Sequence, residues 1–120
     1  MLQFHEQRRS LLTLGLFRTA MPEEKGIVTL DAQGLVVDFV EKPNHPRSNL
    51  ANAGIYIASQ ELYQHLPATN FLDFGSDIFP RLVGKMYGYV IQEYLLDIGT
   101  HATYQQAQSE WKEIEQVTRF

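Results

Sequence analysis

The chain has 120 residues, 44% of them apolar and 20% charged, with a formal net charge of −4 and a pI near 5.5. That is enough for one domain with one core, residues 1–120, and not for two. The acidic balance, with no basic stripe, argues against nucleic acid and anionic membrane as partners. The absence of cysteine excludes disulfides and thiolate metal sites and fits a cytoplasmic setting. No apolar run approaches the length needed to span a membrane.

Met1 to Ser10 is polar and rich in helix formers, which suits a short helix. Leu11 to Thr19 is apolar on both faces, as expected of a strand covered on both sides. Met21 to Gly26 reads as a loop. Ile27 to Leu30 and Leu35 to Val40 read as a hairpin closed by Asp31-Ala32-Gln33-Gly34, with Gly34 in the left-handed position. Pro43 to Asn49 is loop by composition. Leu50 to Ala58 is a further strand.

Ser59 reads as the cap of a short helix that runs to His65, with Leu62 inward. Ile78, Phe79, Leu82 and Val83 mark a second helix, where Pro80 is tolerable only in the first turn and Gly84 supplies the stop. Met86 to Gln92 reads as a strand and Tyr94 to Leu96 as a short extended segment. Thr100 is placed to cap a last helix, whose apolar stripe is Tyr104, Ala107, Trp111, Ile114 and Val117. The pattern as a whole is α/β with a mixed sheet.

Four candidates for chemistry stand out. Glu41 and Lys42 arrive at a strand end, where Pro43 stops the ladder. A carboxylate accepts hydrogen bonds from hydroxyls and an ammonium sits on a phosphate, so the pair suits a phosphorylated polyol; the plainer reading is two surface charges at a hairpin end. Asn52-Ala53-Gly54 puts small residues in a strand, which allows either close approach of a ligand or tight packing. Gly26 allows the same choice, with a turn role the simpler one.

Asp97 lies at a strand-to-helix junction, where open α/β sheets bind ligands. There it could hold Mg²⁺ together with substrate phosphates, or accept backbone N–H groups in a turn. The four histidines show no metal-ligand spacing and read as surface or packing residues. The chain has no glycine-rich phosphate loop.

Taken together, Gly26 to Asp31, Gly34, Phe39 to Pro43, Ser48 to Tyr56, Asp73 to Pro80, Gly88-Tyr89 and Asp97 to Thr100 resemble the sugar-1-phosphate nucleotidyltransferases through nearly the whole chain. The resemblance is greatest to the guanylyltransferases that act on mannose 1-phosphate or heptose 1-phosphate. It implies a Rossmann-like nucleotide-diphospho-sugar transferase fold. It also implies a reaction in which a sugar 1-phosphate attacks the α-phosphate of a nucleoside triphosphate and pyrophosphate leaves, with Mg²⁺ as cofactor.

By the same resemblance Glu41 would bind sugar hydroxyls and Lys42 the sugar phosphate. Gly26, Asn52 and Gly54 would line the sugar pocket, and Asp97 would be the second of two metal-binding aspartates. The family's glycine-rich nucleotide-binding segment and first metal-binding aspartate have no counterpart in these 120 residues. The chain therefore resembles the C-terminal half of the enzyme. It is expected to be inactive alone; the alternative is a non-catalytic module of that origin that binds a sugar phosphate or pairs with a separate N-terminal half or with itself. His101-Ala102 stands where the family often has Pro-Glu, a departure that concerns the helix start.

Overall fold

The computed structural model describes residues 1–118, and side chains through Trp111. In chain order the elements are α1 (Leu2–Arg8), β1 (Leu12–Arg18), β2 (Gly26–Leu30), β3 (Val36–Glu41), β4 (Leu50–Ala58), α2 (Phe79–Leu82), β5 (Tyr87–Val90) and α3 (His101–Thr118). The five strands form one mixed sheet in the order β3-β2-β4-β1-β5, in which β1 and β5 are parallel and the other pairs antiparallel.

β1 is covered on both faces, as its sequence predicts. Leu12, Thr13, Leu14 and Leu16 are all fully buried. The leucines join Val28, Val36, Phe39, Leu62, Ile78, Phe79, Leu82 and Met86 in one core. Each such leucine contributes about 1.5–3 kcal/mol by leaving water. Thr13 is the polar member of the strand, and its hydroxyl is matched by His5 Nδ1 at 2.8 Å. His5 is thus a packing histidine that ties α1 to the sheet. Phe4 extends that contact to Tyr87 and Tyr89 of β5, with Arg8 stacked on Phe4 and Tyr87.

The hairpin β2–β3 turns where the sequence places it. Asp31 Oδ1 accepts the N–H groups of Gln33 and Leu35, and Gly34 has φ 85°. The turn end also reaches the far side of the sheet. Gly84 and Gly88 donate to Val36 and Gly34 carbonyls, and Val36 donates to Met86.

Several boundaries differ from the sequence reading. Gly26 is not a turn glycine but the first residue of β2. Ser59 makes no side-chain cap; its hydroxyl and its N–H both go to the Leu11 carbonyl, and Gln60–His65 is a 3-10 helix with Leu62 buried. The second helix begins with a π-turn, Phe74–Ile78, which carries the chain into α2 with Pro80 in its first turn. Asp73 fixes that turn by accepting from Ser76 N at 2.8 Å, while Asp77 Oδ2 accepts from Asp73 N at 2.8 Å. β5 is shorter than expected, and Tyr94 to Leu96 is irregular rather than strand.

Thr100 does cap α3: its hydroxyl accepts the Thr103 N–H and Thr103 Oγ1 accepts the Thr100 N–H, a reciprocal pair. The expected apolar stripe is not packed at Tyr104 and Trp111, which are 46% and 54% exposed; Ile114 and Val117 lie outside the described side chains. No described helix is long and apolar enough to cross a membrane.

Candidate functional site

The register of the sheet aligns three of the residues singled out by sequence. Gly26 of β2 pairs with Glu41 of β3, and Ile27 pairs with Ala51 of β4. The β2–β4 ladder stops at that pair, and the next residues, Gly26 and Asn52, lie just beyond it. Glu41, Gly26 and Asn52 therefore lie in one row along the end of the paired strands. The Glu41 side chain lies over the Gly26 backbone. A Cβ at Gly26 would stand 2.7 Å from Glu41 Oε2 and 3.0 Å from Phe39 Cζ. Glycine is required here because two side chains cross it. Among the described residues nothing donates a hydrogen bond to the exposed Glu41 carboxylate, so both its oxygens are open to a ligand's hydroxyls.

Asn52 sits at the foot of a bulge. Leu14 pairs with Tyr56 and Leu16 with Asn52, so Ala53, Gly54 and Ile55 together oppose Gly15. Gly54 adopts φ 73°, a conformation that disfavours any side chain, and a Cβ there would meet nothing within 4 Å. The glycine thus answers a backbone demand and not a packing one. Asn52 Oδ1 accepts the Gly54 N–H at 3.0 Å, which fixes which end of the amide is oxygen. Asn52 Nδ2 must then donate to the Tyr56 hydroxyl, 2.9 Å away. Tyr56 accepts there and keeps its own proton for another partner. Its ring stacks on Phe74 at 5.1 Å and 21°.

Asn52, Ala53 and Gly54 also belong to the wall of a cavity of about 690 Å³, with Lys25, Leu95, Asp97, Thr100 and Thr103 among its other residues. The cavity lies beyond the carboxyl ends of the parallel strands β1 and β5, the usual ligand position in such sheets. Asp97 is exposed, and among the described residues no N–H or O–H donates to it, so the turn role is not seen. The segment bearing Asp97 is tied to α3 through Tyr94, whose hydroxyl donates to Glu110 at 2.5 Å. That bond pushes the Tyr94 phenol up to about 12 and holds the Glu110 carboxyl below its ordinary range.

Glu41, Lys42 and Gly26 are not in the cavity wall; they border it through Lys25. Lys42 follows β3 with φ 46°, a left-handed conformation that is rare for a side-chain-bearing residue and recurs at ligand sites. Pro43 behind it is buried. Lys25, Tyr56 and Thr103 are residues that pattern reading missed. Lys25 sits in a stretch that reads as a charged loop, and Tyr56 reads as a strand aromatic.

For Mg²⁺ the free hard donors on the cavity wall are the carboxylates of Asp97 and Glu24, since the Thr100 and Thr103 hydroxyls bond each other at 2.9 Å. Among the described residues no three ligating side chains gather. Such a set fits an ion held by one or two carboxylates and by the phosphates of its substrate.

Comparison with known proteins shows the family. The nucleotidyl transferase family profile matches residues 1–114. The chain is 32% identical, over all of its length and 33% of the relative's, to a glucose-1-phosphate adenylyltransferase of Desulfitobacterium hafniense. It is 34% identical to a mannose-1-phosphate guanylyltransferase of Mycobacterium tuberculosis, over 83% of this chain and 29% of that one. A Bacillus anthracis crystal structure assigned as a glucose-1-phosphate thymidylyltransferase, in complex with a sucrose, superposes with a TM-score of 0.74 at 19% identity, covering 91% of this chain and 46% of that one. The chain spans about a third of the length of the curated relatives it matches. These residues, in this order and on this fold, belong to the nucleotidyl transferase family.

Proposed function

We propose that these 120 residues form the sugar-phosphate-binding part of a sugar-1-phosphate nucleotidyltransferase. The observation that carries this reading is the row Glu41, Gly26, Asn52, which ends at the cavity that holds Asp97. Glu41 accepts hydrogen bonds from sugar hydroxyls across the bare Gly26 backbone. The Tyr56 hydroxyl, held by Asn52, offers a proton to the same ligand. Lys42 neutralises the sugar phosphate, and Asp97 holds Mg²⁺ when the metal is bound. The metal's contribution is to neutralise phosphate charge, the main demand of phosphoryl transfer. The other part of the reaction, gripping the triphosphate and the base, has no motif in these residues.

The motif pattern favours a guanylyl group. The relatives, however, are named as adenylyl-, guanylyl- and thymidylyltransferases. The acceptor is a hexose or heptose 1-phosphate, and the nucleotides are to be compared directly. In a pyrophosphate-release assay with each nucleoside triphosphate, Mg²⁺ and glucose 1-phosphate or mannose 1-phosphate, the isolated 120 residues should show no turnover. A rate typical of a whole enzyme would contradict this division of labour.

A second reading, as a sugar-phosphate-binding module that associates with a partner, is favoured by one observation. On the side away from β1, β4 pairs with β2 only at Leu50 and Ala51, so among the described residues the edge from Asn52 to Ala58 has no strand beside it. Open strand edges recruit strands. Light scattering after size exclusion tests it: a monomer at high concentration would speak against self-association.

A further inference from the structure

We propose that Lys25 and Lys42 act together as a clamp for one phosphate dianion, with Lys25 the contact on the cavity side. The inference rests on the sugar-phosphate reading above, to which it adds a second cation. The β2–β3 ladder sets Gly26 opposite Glu41, and one step further the Lys42 N–H donates to the Lys25 carbonyl at 2.9 Å. The two lysines are therefore neighbours just outside the paired ends of β2 and β3. Two like charges set this close by a backbone hydrogen bond repel each other, and an anion between them would relieve that repulsion.

Neither ammonium is neutralised locally. Among the described residues the ion pair within 4 Å is Arg47 with Asp38, and no carboxylate stands that close to Lys25 or Lys42. Lys25 is half-buried, so its charge is less well solvated than that of a surface lysine. It lines the cavity that holds Asn52 and Asp97. Lys42 is held in a left-handed conformation that the surrounding fold must sustain.

Two ammoniums without an ion partner, one just before β2 and one just after β3, the first of them on a cavity wall, match the charge of a phosphate monoester, which carries nearly two negative charges at neutral pH. A neutral sugar would leave both unmatched. The pair thus selects for the phosphorylated form of the ligand, and Lys25 serves as a specificity residue.

The test is thermal melting of the wild-type chain and of Lys25→Met in low-salt buffer, each titrated with inorganic phosphate, glucose and glucose 1-phosphate. Without anion, Lys25→Met should melt no lower than wild type, since a repulsion has been removed. Phosphate and glucose 1-phosphate should raise the wild-type midpoint, glucose should not, and half-saturation should need about tenfold more anion in Lys25→Met, as for loss of one charged hydrogen bond. If phosphate stabilises only the wild type but glucose 1-phosphate does no better than phosphate, the clamp stands and the sugar reading falls. If glucose 1-phosphate stabilises both proteins equally, the clamp is overturned and the sugar reading stands. If no anion moves the wild type, both are overturned.

Discussion

The Asn52 amide nitrogen donates to the Tyr56 hydroxyl at 2.9 Å, and the same amide's oxygen is occupied by the Gly54 N–H. One side chain thereby pins the bulge of β4 and orients a phenol. Tyr56→Phe removes only the hydroxyl. The half-exposed Asn52 amide can turn to water, so folding stability should fall by no more than about 1 kcal/mol while sugar-phosphate affinity drops. Asn52→Ala removes the bulge bond as well, and should cost about 1 kcal/mol more in denaturant unfolding. Equal affinities for wild type and Tyr56→Phe would remove the phenol from the site.

Gly26→Ala tests the row at the end of the paired strands. The new methyl would meet Glu41 Oε2 at 2.7 Å and Phe39 Cζ at 3.0 Å. The carboxylate can swing away, whereas the Phe39 ring is buried in the core beside Phe79 at 5.1 Å. Stability should fall by about 1–3 kcal/mol, and the displaced Glu41 should no longer hold sugar hydroxyls. Chemical denaturation and ligand titration of the same sample check both. Unchanged sugar binding would show that Glu41 is not a sugar contact.

Lys42→Gly separates strain from function. Glycine adopts φ 46° freely, which relieves roughly 1 kcal/mol of backbone strain and gives some of it back to the unfolded chain's freedom. The variant should be as stable as wild type or slightly more so, yet bind sugar phosphates about tenfold less tightly. A variant that loses stability and keeps its affinity would reverse the assignment.

The Tyr94–Glu110 bond predicts a pH dependence with a definite sign. The Glu110 carboxyl is held below its ordinary value by the phenol's hydrogen bond. Its stabilising contribution is therefore present above the ordinary carboxylate range and lost as pH falls through the depressed value. Tyr94, pushed up to about 12, contributes below pH 10 and loses that contribution as pH rises through about 12. Wild type should melt above Glu110→Gln at neutral pH, and the two should converge as the solution is acidified. A constant difference down to the acid limit would contradict the link.

Much of this fold is legible in sequence for reasons that can be named. The Leu12–Leu16 run betrays a doubly covered strand, and Asp31 with Gly34 writes the hairpin turn. The row of Glu41, Gly26 and Asn52 is not legible, because register is decided by pairing between strands far apart in sequence. The bulge is hidden for a related reason: Ala53-Gly54 looks the same whether a ligand approaches or the backbone turns left-handed. Lys25 reads as loop charge until β2 and β3 bring it beside Lys42. The stripe of α3 shows the opposite error, a sound helical period whose Tyr104 and Trp111 stay half-exposed.

The most direct test is calorimetric titration of glucose 1-phosphate and mannose 1-phosphate, with Mg²⁺, into the folded 120-residue chain and into Lys42→Ala. The account predicts saturable binding of at least one sugar phosphate and an affinity about tenfold lower in Lys42→Ala. No heat of binding from the folded chain, or equal affinities in the two proteins, would contradict the claim that these residues form a sugar-phosphate site.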